Sequence, residues 1–191
     1  MKPVVTSEAI LPGAFGQISE LHELVVAKGI AAFEKDGRAP FLWTILLDHH
    51  LTFIETPWEN EREKMEATHK MRHIMAALQA RAYSFMTEAW VSAINFESTS
   101  KEDQEKIMEQ SRKHGVKSLP ETLREDVLMV STYDRGGNYL MTRFGVRYGS
   151  RTHPTGGWKF GRLLARDDWH KDSIGHFEGR MWNLLKEEGN A

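Results

Sequence analysis

The run Tyr83-Ser84-Phe85-Met86-Thr87-Glu88-Ala89-Trp90-Val91-Ser92-Ala93-Ile94 contains neither Gly nor Pro, is dense in aromatic and β-branched side chains, and follows a long helical pattern. These properties predict a strand. Alternation sets Tyr83, Phe85, Thr87, Ala89, Val91 and Ala93 on one face and Ser84, Met86, Glu88, Trp90, Ser92 and Ile94 on the other. Both sets carry apolar weight, so the strand belongs in the middle of a sheet. Glu88 is the exception, because a carboxylate on a largely covered strand must be hydrogen-bonded, paired or protonated. It is either a structural carboxylate, at a partly solvated end of the sheet or bridged to an Arg, or one that holds a ligand or does chemistry.

The other elements are arranged around this strand. Residues 1–17 hold Pro3, Pro12, Gly13 and Gly16 without periodicity and read as an extended arm. Ser19 is a candidate N-cap for a helix that carries Leu21, Leu24, Val25, Ala31 and Ala32 and stops at Asp36-Gly37. Phe41 to Leu47 and Leu51 to Thr56 form a predicted hairpin turned by Asp48-His49-His50. A helix beginning at Pro57 and running to about Ala82 places Met71, Ile74, Met75 and Leu78 on one face, a stripe expected to pack on the sheet. Residues 99–120 read as a polar helical insertion, capped by Thr99 with Glu102 and more weakly by Ser100 with Asp103. Asp126 to Tyr133 and Asn138 to Tyr148 flank the turn Asp134-Arg135-Gly136-Gly137. Trp158 to Ala165 is a predicted last strand, and Asp172-Ser173 caps a predicted closing helix ended by Gly189.

This order predicts an α+β fold in a single domain over 1–191, with a mainly antiparallel sheet of about five strands and helices packed on it. Without the polar insertion, the order is similar to that of roadblock and other profilin-like domains, a likeness of element order that implies no function. The run Ala82 to Trp90 also resembles strands of small uncharacterised bacterial and phage proteins. That likeness covers at most a tenth of the chain and carries no activity.

Composition narrows the chemistry. The chain has no cysteine, which excludes disulfides, thiolate metal ligands and a cysteine nucleophile. No stretch approaches the roughly 18 apolar residues of a membrane span. The start, Met1 to Thr6, lacks the apolar core of a signal peptide, so the expected location is cytoplasmic. The P-loop, dinucleotide, H-E-x-x-H and G-x-S-x-G patterns are missing. Glu66, His69 and His73 have helical spacing suited to a metal, but their phase points away from the core stripe, and a solvated face is expected there. His49 and His50 are adjacent and would point to opposite faces of a strand. His153, His170 and His176 lie near Asp167 and Asp168, with nothing in the spacing to fix a general base. Neither a metal nor a cofactor is expected.

Charge is the strongest functional signal. From Arg135 to Arg166 there are seven basic residues and no carboxylate, so a net charge of −2 leaves −9 for the rest of the chain. In the strand from Asn138, alternation assigns Leu140, Thr142, Phe144, Val146 and Tyr148 to the core and Tyr139, Met141, Arg143, Gly145 and Arg147 to an aromatic and arginine surface. Arg143, Arg147, Arg151, Lys159 and Arg162 are candidate anion ligands, with Tyr139 and Trp158 as stacking planes. The expectation is a non-enzymatic binding module for an anionic partner: nucleic acid, a nucleotide or an acidic protein. Two alternatives stand beside it. One is a hydrolase using Glu88 or a His with arginine clamps; the other is a homo-oligomeric structural protein, such as a homodimer, with the arginines neutralised by acidic helices of the same chain or of a second copy.

Overall fold

The computed structural model describes residues 3–58, 60–92, 98–152, 159–170 and 184–185. In chain order the elements are β1 (Val4–Ala9), α1 (Ile18–Asp36), β2 (Leu42–Leu46), β3 (His50–Glu55), α2 (Glu61–Ala77), β4 (Ala82–Ser92), α3 (Lys101–His114), two short 3-10 turns, β5 (Arg124–Asp134), β6 (Tyr139–Thr152) and β7 (Lys159–His170). The seven strands form one sheet in the order β1-β3-β2-β4-β5-β6-β7, antiparallel at every step. The fold is α+β, and β4 lies at its centre, as the Gly- and Pro-free run predicts. The seventh strand is β1, which the sequence reading takes for an arm. All six of its residues are exposed, so it carries no alternating apolar signature; backbone pairing with β3 from Val4↔Glu55 to Ala9↔His50 makes it an edge strand.

Each face of the sheet is covered. Leu21, Val25, Val26 and Phe33 of α1 pack with Leu42, Leu46, Leu51, Phe53, Met86, Leu128, Val130, Phe144 and Val146. On the opposite face Met71 and Met75 of α2, with Leu184, close over Trp43, Ile45, Ile54, Tyr83, Phe85, Tyr133 and Tyr139. A tyrosine row crosses three strands there, with ring centroids 5.1 Å apart for Tyr83 and Tyr133 and 6.1 Å for Tyr133 and Tyr139. The Tyr83 hydroxyl accepts the Leu184 amide at 3.0 Å. α1 packs tightly on the sheet at Gly29, where an added Cβ would meet the Met86 sulfur at 2.4 Å.

Several boundaries differ from expectation for local reasons. α1 is capped by Gln17 with Glu20, two residues earlier than Ser19 would give, and it ends at Gly37 with φ 68°. α2 starts at Glu61 because Asn60 caps it, its side chain accepting the Glu63 amide at 3.0 Å. Its buried line is Thr68, Met71 and Met75, while Ile74 and Leu78 are exposed. The helix is therefore rotated by roughly 40° from the predicted stripe. α3 is capped by Ser100 rather than Thr99, with the Asp103 amide donating at 3.1 Å, and buries none of its residues. β7 continues to His170, past the predicted end at Ala165; an edge strand tolerates charges such as Asp167 and Asp168. Of the predicted closing helix from Asp172, only Leu184 and Leu185 are described, in a turn; the rest lies outside the described residues.

Candidate functional site

The basic segment folds into a hairpin whose turn is held by Asp134. Its carboxylate accepts the Asn138 amide at 2.9 Å and the Asn138 side-chain amide at 2.8 Å, and Gly137 takes φ 81°. β5 pairs with β6 from Tyr133↔Tyr139 to Val127↔Gly145. Beyond Gly145, β6 pairs only with β7: Val146↔Leu163, Arg147↔Arg162, Tyr148↔Gly161 and Thr152↔Lys159. The register shifts between Phe144 and Val146, where two β7 residues oppose Gly145, and again between Tyr148 and Thr152. Past the edge of β5 the hairpin is thus a bulged two-stranded ribbon.

The predicted anion ligands fall into three groups. Arg143 is half-buried inside the three-stranded part, opposite Asp167 in β7 and Met129 in β5. Arg147 is exposed, makes no ion pair among the described residues, and has Arg162 as its register partner. Arg151 and Lys159 take backbone positions in the ribbon, and Trp158 lies outside the described residues. Tyr139 is a correction: it is buried in the tyrosine row, as Met141 is beside it, so it offers no stacking plane. Alternation sorted the two faces correctly, but the sheet is covered on both sides at this end, which a single strand cannot reveal.

Glu88 is half-buried, and its carboxylate accepts the Ala39 amide at 2.6 Å, just beyond the end of α1. Register aligns Glu88 with Leu128 and Phe144, and Thr87 with Met129 and Arg143. Glu88 and Arg143 therefore lie on opposite faces of the sheet, and they do not form one site. His49 and His50 are exposed at the β2–β3 turn. His69 and His73 are exposed, as their phase predicts, and Glu66 accepts from Arg62 at 3.0 Å. Among the described residues no three His, Asp or Glu side chains gather as a metal site. His153 and His176 lie outside the described residues.

One constellation was not predicted. His22 of α1 is buried against the sheet, with Nδ1 2.8 Å from Thr132 Oγ1 and Nε2 2.8 Å from Thr142 Oγ1. The Thr142 hydroxyl donates to Asp168, and Arg166 donates to Asp168 at 2.8 Å and to Glu23 at 3.0 Å. Thr132 donates to Ser84 at 2.8 Å, and Ser84 donates to the Ser131 carbonyl at 3.3 Å. With every hydroxyl turned away from His22, both ring nitrogens must donate, which describes an imidazolium. Burial opposes that charge and lowers the His22 pKa to about 4. A neutral ring protonated at Nε2 keeps every other contact if Ser84 and Thr132 rotate to donate toward Nδ1; only the 3.3 Å bond is given up. Hydrogen bonding to Arg166 holds the Glu23 carboxyl below its usual range and raises Arg166. Burial pushes Asp168 up, but hydrogen bonds from Thr142 and Arg166 outweigh it and leave the carboxyl lowered. The cluster joins α1 to the edge strand. Its sequence signal was a polar residue at three core positions: His22 beside Leu21, Thr132 after Val130, and Thr142 between Leu140 and Phe144.

The chain matches no family model, no curated protein and no solved structure. Among the described residues no helix is long and apolar enough to cross a membrane.

Proposed function

We propose that the chain is a binding module whose β6–β7 ribbon takes hold of an anionic partner, with nucleic acid the partner that its shape fits best. The carrying observation is the pairing of Arg147 with Arg162 on a ribbon whose residues 146–163 include no carboxylate. Like charges directly opposite on an antiparallel pair repel, by about 0.2–1 kcal/mol, and a polyanion lying along the ribbon turns that repulsion into attraction. A two-stranded ribbon is also one of the two elements that the major groove of a duplex, about 12 Å wide, admits. Glu88 plays no part in this reading, since it lies on the other face. The absence of cysteine fits work in a reducing compartment such as the cytoplasm.

The test is fluorescence anisotropy with a labelled DNA duplex across a salt series. Affinity should fall with salt at a slope of about −0.9 for each phosphate contacted. Arg147→Glu with Arg162→Glu should weaken binding and flatten that slope, while Arg62→Glu on α2 should leave both unchanged. A double variant that binds as the wild type does, or wild-type binding indifferent to salt, would defeat the reading.

A further inference from the structure

His69 and His73 lie one turn apart on the exposed side of α2, with their Nε2 atoms 3.0 Å from each other and their rings edge to face. Two exposed imidazoles directed at each other share either a proton or a metal ion. At metal–nitrogen distances of about 2.0–2.1 Å, a 3.0 Å separation subtends an angle of roughly 95° at the ion. That is close to the right angle between neighbouring ligands of a square-planar or octahedral centre. A tetrahedral centre would need the nitrogens about 3.3 Å apart. Imidazole pairs in such tetragonal geometry favour Ni(II) and Cu(II), which also stand high in the order of divalent affinities.

The surroundings leave room for further ligands on an ion held there. His69 borders a half-open cavity of about 190 Å³ together with Lys64, Met65, Thr68 and Arg72. The cations Lys64 and Arg72 oppose a bare metal ion but favour the anion or hydroxide that fills its remaining positions. We propose that His69 and His73 form a bidentate site for Ni(II) or Cu(II), completed by water or a small anion from this cavity. Glu66, whose carboxylate is bonded to Arg62, is not needed as a ligand. The proposal is independent of the ribbon, which lies on other elements.

Calorimetric titration of the untagged full chain with NiCl₂ tests it. The expected result is one Ni(II) per chain, with His69→Ala and His73→Ala each lowering the association constant about 10-fold or more, and His49→Ala with His50→Ala without effect. Cu(II) added to the wild type should show an electron paramagnetic resonance spectrum with two coupled imidazole nitrogens, reduced to one in either single variant. Because both histidines are exposed, the variants should melt as the wild type does without metal, and Ni(II) should raise the melting temperature of the wild type alone. Absence of saturable binding, or binding that survives in both His69→Ala and His73→Ala, would overturn the site.

Discussion

Nε2 of His22 and Oγ1 of Thr142 lie 2.8 Å apart although 120 residues separate them in the chain. The contact ties the first helix to the sixth strand, and through Asp168 to the seventh. It places a titratable group in the core with both nitrogens bonded, so the cluster should register in the pH dependence of stability.

The His22 pKa is lowered from 6.5 to about 4 in the folded chain, chiefly by burial. Between these values the unfolded chain binds a proton that the folded chain does not. Stability from this group is therefore complete above pH 6.5 and falls as the pH drops toward 4, by about 3 kcal/mol in all. Denaturant titrations at pH 7 and pH 4.5 should show a smaller loss of stability for His22→Gln than for wild type. Equal losses would mean that His22 titrates normally in the folded chain.

Thr142 both accepts from His22 and donates to Asp168. Thr142→Val keeps the shape but leaves the Nε2 proton of a buried ring without an acceptor, at a cost of about 1–3 kcal/mol. Thr142→Ser retains the hydroxyl and should recover most of that loss. Urea melts of the two variants make the comparison, and a Val variant as stable as the wild type would show that the Thr142 hydroxyl's hydrogen bonds add nothing to stability.

Gly29→Ala sets two effects against each other. The new methyl gains about 1 kcal/mol of helix propensity, but it meets the sulfur of a fully buried Met86 at 2.4 Å, and overpacking a core costs about 1–3 kcal/mol. A net loss of about 1 kcal/mol is expected in thermal or urea melts. In a Met86→Ala background the same change should become neutral or stabilising; a loss that persists there would place the strain elsewhere.

At Glu88 the charge matters less than the acceptor. Glu88→Ala removes the oxygen that receives the Ala39 amide and should cost about 1 kcal/mol. Glu88→Gln supplies an amide oxygen in its place and should cost a few tenths. Chemical denaturation of both variants at neutral pH distinguishes the cases, and equal costs would show that the carboxylate's charge is what the site uses.

What the sequence determined by itself is local. The Gly- and Pro-free run of β4, the Asp134 to Gly137 turn, the polar surface of α3 and the run of cations without carboxylates are each readable from neighbouring residues, because propensity, turn chemistry and charge act over a few positions. Tertiary structure alone decided how these pieces use their faces. Tyr139 and Arg143 alternate onto the same side of β6, yet Tyr139 is buried and Arg147 further along is exposed, since cover from the other elements reaches only part of the strand. β1 became a strand through pairing with β3, a choice that its own exposed side chains do not encode. The meeting of His22 with Thr132, Thr142 and Asp168 joins four distant segments, and no pattern within any one of them specifies it. Burial and register are properties of the assembled sheet, so the residues that depend on them became legible only once that sheet was formed.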